Sequence, residues 1–199
     1  MFYGCEKLSS LVGLKNWDTK NVTDMSYMFI FCCSLSDFSP LKYWNTGNGK
    51  NMSFMFSCYQ ISSLSSISNW NTINVTNMNS MFSQFLTKLP SFPVPMIVAG
   101  SLFGPLAIPL AIPAYLIYCK TTNTNCLSNL SGAEKWDTSN VEDMKNMFYN
   151  CYKIKSLSPL SNWNIEKANI NNIFKWCNDK LEIPDNFKNK MKQLKNKNN

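Results

Sequence analysis

The chain has 199 residues and a formal charge of +7, from 19 basic and 12 acidic side chains with no His. Every basic residue is Lys, and Lys188, Lys190, Lys192, Lys195 and Lys197 crowd the C-terminus, so the excess positive charge belongs to a tail and forms no basic face. The lack of Arg removes the bidentate contacts to phosphate and guanine and argues against nucleic-acid binding, while the lack of His removes the usual acid–base, nucleophile-activating and metal-ligating chemistry.

One block recurs along the chain. Trp17, Trp44, Trp70, Trp136 and Trp163 each precede an anchoring Phe at Phe29, Phe56, Phe82, Phe148 and Phe174. The period is about 26 residues, and the longer interval between the third and fourth copies is one repeat plus an insertion of about 40. A period of this length predicts a stack whose units bury surface only against their neighbours. The expected division is residues 1–85 for repeats one to three, 86–125 for the insertion, 126–177 for repeats four and five, and 178–199 for a cap and a Lys/Asn-rich tail.

In chain order, M-F-Y-G-C-E-K at the N-terminus lacks the charged start and apolar core of a secretory signal and reads as the end of a repeat. Leu8, Leu11 and Leu14, broken by Ser and Gly, predict a short strand with turns. Asn21-Val22-Thr23-Asp24 predicts a turn or cap. Met25, Met28 and Phe29 at i, i+3 and i+4 then predict a short helix with one buried stripe. Met52, Met55 and Phe56 rebuild that stripe, as do Met78, Met81 and Phe82. In the second unit Gly49 stands where Val22, Val75 and Val141 stand elsewhere, and a looser turn is expected. The fourth unit is nearly complete, with Met144 in the stripe, whereas the fifth keeps Ile170, Ile173 and Phe174 but loses both Met, as a terminal cap would. Beyond Asn178, the first part is expected to cover the end of the stack and the last eight or so residues to fray.

Within the insertion, Val94–Cys119 carries no charge and is long enough to span a membrane. Pro105, Pro109 and Pro113 oppose a helical span, since each removes a hydrogen bond that lipid cannot replace. Three readings stay open: membrane contact, an apolar loop folded on the stack or on a partner, and retained non-coding sequence.

Cys5, Cys32, Cys151 and Cys177 each lie three residues after an anchor Phe, Cys58 lies two after Phe56, and Phe85 takes the place in the third unit. Alternation of Cys with Phe at one position describes small buried hydrophobes forming a ladder. Disulfides between rungs are a second reading, and a metal site a remote third, since no CxxC pair occurs. Asn21, Asn51, Asn74 and Asn129 each open an Asn-x-Ser/Thr pattern, which capping and turn formation in the fold explain.

The unit W-[DN]-T-x-N-V-T-[DN]-M-x-x-M-F-x-x-C resembles the repeat of the BspA-like leucine-rich-repeat surface protein family. The resemblance covers everything except the insertion, and is most complete in Trp17 to Phe29 and Trp136 to Phe148. It implies a right-handed α/β, leucine-rich-repeat-like solenoid of about five short strand-turn-helix units, with a role in adhesion or protein binding and no assigned enzymatic activity.

The expected function is a non-catalytic protein-binding or adhesion solenoid. The alternative is an intracellular or membrane-tethered scaffold anchored through Val94–Cys119. No catalytic residue, metal, cofactor or small-molecule substrate is expected. The balance favours a membrane-associated or cell-surface location over a cytoplasmic one. The structural ladder is assigned to Trp17, Trp44, Trp70, Trp136 and Trp163, to Phe29, Phe56, Phe82, Phe148 and Phe174, and to Met25, Met52, Met78 and Met144. The Cys ladder is assigned to Cys5, Cys32, Cys58, Cys151 and Cys177. Exposed binding positions are sought just before each Trp, at Lys15, Lys42, Ser68 and Lys135.

Overall fold

The computed structural model describes residues 1–32, 34–57, 61–84 and 126–197. Met1–Gln84 and Asn125–Asn199 form one unit, and Phe85–Thr124, the other, lies outside the described residues. Within the first unit the repeats stack as successive rungs, but the expected α/β solenoid of strand-turn-helix units is not what forms. Among the described residues there is no extended strand, and the rungs meet only at isolated parallel bridges such as Asp24 with Asn51, Asn51 with Asn77, Asn77 with Asp143 and Asp143 with Asn169. There is a single α-helix, α1, Asp185–Lys197, which belongs to no repeat.

The local reasons can be read from the residues. Where a strand was expected, the Leu-x-x-Leu spacing yields a 3-10 turn in every rung: Val12–Leu14, Ser39–Tyr43, Ser65–Ile67, Ala133–Lys135 and Ser158–Leu160. A 3-10 helix has three residues per turn, so side chains three apart eclipse and face one side. Leu11 and Leu14, Phe38 and Leu41, Leu64 and Ile67, Leu130 and Ala133, and Leu157 and Leu160 are therefore all buried. Pro40 and Pro159 open two of these turns, where a missing N–H costs nothing.

Where a helix was expected, from Met25 to Phe29, the backbone enters the left-handed region at Tyr27 (φ 57°), and it does so again at Phe54, Ser80, Asn146 and Asn172. A left-handed residue ends any right-handed helix. The chain instead directs its N–H groups at the next rung. Met25, Tyr27 and Phe29 donate to the carbonyls of Asn51, Ser53 and Met55 at 2.8, 2.9 and 3.1 Å. Met52, Phe54 and Phe56 repeat this toward Asn77, Asn79 and Met81. The carbonyl of each such peptide faces the preceding rung and its N–H the following one, so hydrogen-bonded peptide groups line up along the stack.

The third and fourth rungs are contiguous despite the insertion between them. Met78, Ser80 and Phe82 donate to Asp143, Lys145 and Met147 at 2.8, 2.9 and 3.1 Å, and Phe82 stacks on Phe148 at 5.8 Å. Gln84 donates its backbone N–H to Tyr149 at 3.0 Å, and its side-chain amide joins the carbonyl of Asn150 to the N–H of Leu127. The two flanks of the insertion are thus fastened at one corner. Gly49 gives no looser turn: its N–H reaches the Thr46 carbonyl at 2.9 Å as Val22 reaches Thr19, and Met52 Cε fills the space a side chain would take.

The C-terminal segment is more ordered than its composition suggests, with α1 running through Lys197 and Phe187 fully buried against Phe174 at 5.1 Å. Because Phe56 is fully buried and its ring lies between those of Phe29 and Phe82, Phe56→Ala should cost about 3–5 kcal/mol. Urea unfolding followed by tryptophan fluorescence checks this. A loss below 1 kcal/mol would mean that the ring column contributes little.

Candidate functional site

The repeated side chains form columns along the stack, and each column uses one kind of contact. The Phe rings lie face to face at 5.7 Å (Phe2 and Phe29), 5.9 Å (Phe29 and Phe56), 5.6 Å (Phe56 and Phe82), 5.8 Å (Phe82 and Phe148) and 6.0 Å (Phe148 and Phe174). Trp17, Trp44 and Trp70 stack at 6.3 and 6.5 Å, and Trp136 on Trp163 at 6.2 Å. Each interior indole also donates backwards: Trp44 Nε1 to Leu14 O, Trp70 to Leu41, Trp136 to Ile67 and Trp163 to Ala133. A buried indole N–H needs such a partner. Met25, Met52, Met78 and Met144 are buried beside these rings.

The polar residues of the repeat are occupied with the backbone. Asp24, Asn51, Asn77, Asp143 and Asn169 each accept the N–H two residues on, closing an Asx turn at the bridge position. Asp18, Asn45, Asn71, Asp137 and Asn164 do the same after Trp. For Asp18 the backbone bond from Lys20 lowers the carboxyl pKa, and for Asp24 and Asp137 bonds from Ser26 and Ser139 do so. Thr19, Thr46, Thr72 and Thr138 donate forward to Asn45, Asn71, Asp137 and Asn164 carbonyls at 2.8–3.0 Å. Asn48, Asn74 and Asn140 donate backward to Lys20, Gly47 and Ile73 carbonyls. Of the four Asn-x-Ser/Thr asparagines, Asn51, Asn74 and Asn129 thus hold structural bonds.

The thiols follow the same logic. Cys32, Cys151 and Cys177 point their Sγ at the carbonyls of Phe2, Phe82 and Phe148, the anchor Phe of the preceding rung in each case. Cys5 is exposed, and Cys58 lies outside the described residues. Cys5, Cys32, Cys126, Cys151 and Cys177 are all free thiols. No group of three or more Cys, Asp or Glu among the described residues could hold a metal ion.

The columns that vary face outward. Lys15, Lys42 and Lys135 are exposed, but Ser68 is half-buried beneath Gly132, whose missing Cβ would fall 2.6 Å from the Ser68 Cβ. Lys15 and Lys42 flank the Tyr43 ring, with Nζ at 4.8 and 4.9 Å from its centre. A hydrogen bond from Lys42 and the charge of Lys15 lower the Tyr43 phenol pKa. Val12 lies one turn away and is 69% exposed. Tyr43 and Val12 escape sequence reasoning because neither belongs to a repeating column. An open polar groove of about 610 Å³ lies between the fifth rung and the lead into α1, lined by Lys155, Ser158, Lys180, Glu182 and Asp185 among others.

Burial pushes the Cys177 thiol up from 9.0 to about 12, and burial with the neighbouring Cys177 and Cys126 drives Cys151 well up. A thiol whose folded pKa is raised contributes stability that is fully present below its unfolded value and is lost as pH rises toward the folded one. Stability should therefore hold up to about pH 9 and fall between there and about 12. Urea midpoints across that range check it, and Cys177→Ser should flatten the slope. At pH 8, native Cys5 should react with an alkylating agent within minutes while Cys151 and Cys177 stay protected until the chain unfolds.

The geometry can be set beside known proteins. No curated protein matches the chain, nor does any solved structure. A family model does match, over residues 1–92 and 119–196, which leaves out most of the insertion. On that match the chain belongs to the family described as Mycoplasma protein of unknown function, DUF285.

Proposed function

We propose that the chain is a non-catalytic protein-binding or adhesion module of the BspA-like type, with its binding surface on the outward columns. The observation that carries this reading is the division of labour between columns. Every residue type that recurs in the motif is engaged in stacking or in rung-to-rung hydrogen bonds, so selection for a ligand has only the variable outward positions to act on. The patch formed by Val12, Lys15, Lys42 and Tyr43 suits a partner segment with an acidic group beside an apolar one. Two ammonium groups over one ring are held together and half-desolvated by it, and an exposed aromatic flanked by charge is typical of a recognition point.

Selection of a random peptide display library on the immobilised protein tests this. The enriched peptides should be acidic and should lose binding at least tenfold to the variant Lys15→Glu, Lys42→Glu, Tyr43→Ala, whose melting temperature should match the parent. Absence of enrichment, or equal binding by the variant, would contradict the reading.

A second reading, a scaffold tethered to a membrane through Val94–Cys119, has one observation in its favour. The third rung pairs with the fourth in register, and Gln84 fastens the flanks of the insertion together, so the segment departs and returns at one corner without interrupting the stack. A single span that puts three repeats on one side and two on the other is incompatible with that pairing. Among the described residues no helix is long and apolar enough to cross a membrane, and the insertion itself lies outside them. Replacing residues 85–125 by a short Gly-Ser linker should leave the thermal transition in place. If the insertion is the tether, alkaline-washed membranes will retain the full chain and release the deletion; release of both would end this reading.

A further inference from the structure

The two ends of the stack are chemically different. At the C-terminal end, α1 supplies in one helix what a sixth rung would supply in pieces. Asn186 Nδ2 donates to the Leu160 carbonyl at 3.1 Å, the place that the next Trp indole takes at Leu14, Leu41, Ile67 and Ala133. Lys190 Nζ donates to the Glu166 carbonyl, where Asn48, Asn74 and Asn140 bind in earlier rungs. Phe187 closes the ring column against Phe174. Ile165 stands where Thr would need a carbonyl on a following rung.

Nothing comparable closes the N-terminal end. Met1–Gly4 covers only one corner, where Phe2 stacks on Phe29 and donates to Met28, and Gly4 donates to Ile30. Across the rest of that face the bonding groups of an interior rung stand open. Trp17 Nε1 and Asn21 Nδ2 have no acceptor within the chain, and the carbonyls of Asp18, Asp24 and Ser26 receive no N–H or hydroxyl, although their counterparts in every interior rung are paired. Trp17 is 38% exposed, whereas Trp44, Trp70, Trp136 and Trp163 are 3–5% exposed. Met1, Tyr3, Val12 and Tyr27 are further large hydrophobic residues exposed at this end.

We infer that the N-terminal face of the first rung is a docking face for one further rung of the W-[DN]-T-x-N-V type, presented by another repeat-bearing polypeptide whose last rung is uncapped. The complementarity is fixed by the internal interfaces. The incoming rung would use its Thr hydroxyl on Asp18, its two forward-facing N–H groups on Asp24 and Ser26, and its own carbonyls to receive Trp17 and Asn21. The polarity of the peptide columns excludes a face-to-face pair of copies, which would oppose carbonyl to carbonyl. A head-to-tail copy would meet α1. Edges that present unpaired backbone groups are templates for this kind of addition.

The test uses the full chain and a synthetic peptide of the fourth rung, Leu127–Asn146, both added in trans and fused directly before Met1. In the fusion Asn146 precedes Met1 and Phe2 as it precedes Met147 and Phe148 in the native chain. The readout is solvent exchange of the Trp17 indole N–H by NMR, assigned by its loss in Trp17→Phe. In the free chain it should exchange fast. Both fusion and saturating peptide should slow it about tenfold or more, toward the rates of Trp44 and Trp70, and a peptide of scrambled order should not. Unchanged exchange in both forms would overturn the inference. Protection in the fusion alone would confine the face to a covalent neighbour and overturn docking in trans. Slow exchange in the free chain accompanied by a dimer on size-exclusion chromatography would name a second copy as the occupant instead.

Discussion

The structure depends on the orientation of a few peptide groups in each rung. At the Met-x-x-Met-Phe segment, the carbonyls of residues such as Asn51 and Ser53 face the preceding rung while the N–H groups of Met52 and Phe54 face the following one. A chain without extended strands must still satisfy its buried backbone polar groups, and this alternation does so between rungs rather than within a helix or sheet. The left-handed residues follow from the same demand. Tyr27, Phe54, Ser80, Asn146 and Asn172 rotate the backbone so that alternate N–H groups point the same way, at a local cost that the stacked contacts on both sides offset.

The remaining columns fit around this frame. Once rungs are held at a fixed spacing, Phe on Phe and Trp on Trp fall into stacked contact, and the short polar residues reach the neighbouring backbone. Thr donates forward while Trp and Asn donate backward, so each interior rung is bonded in both directions by different residues. Replacement of Thr by Ile165 in the last rung, where no following carbonyl exists, is the counterpart of that rule. The insertion can be accommodated because the frame needs contact between rungs, not continuity of chain: Met78, Ser80 and Phe82 bond across it with the same geometry as Met52, Phe54 and Phe56.

Much of this was legible in the residues. The spacing of Trp and Phe gave the period and the columns that pack inward, and alternation of Cys with Phe pointed to a buried thiol position. The secondary structure was not legible for a physical reason. Leucines three apart are compatible with turns, short strands and 3-10 geometry alike, and Met25, Met28 and Phe29 look helical unless the left-handed residue between them is known. Tyr27 and Phe54 give no hint of it, since bulky aromatics rarely adopt that conformation. The cap was hidden for another reason. Asn186, Phe187 and Lys190 imitate a rung through three side chains of one helix and share no motif with it. For the candidate binding patch, Lys15 and Lys42 came from their place before Trp, but Tyr43, which holds them together, departs from the pattern and was invisible to it.

The central claim is that one uninterrupted stack runs through both halves of the chain. Amide hydrogen exchange across the insertion tests it most directly. The N–H groups of Met78, Ser80 and Phe82, which bond to the fourth rung, should be protected as strongly as those of Met52, Phe54 and Phe56, which bond within the first half. Exchange at Met78, Ser80 and Phe82 near the rate of an open edge, with Met52, Phe54 and Phe56 still protected, would show that the two halves are separate stacks and would contradict the account.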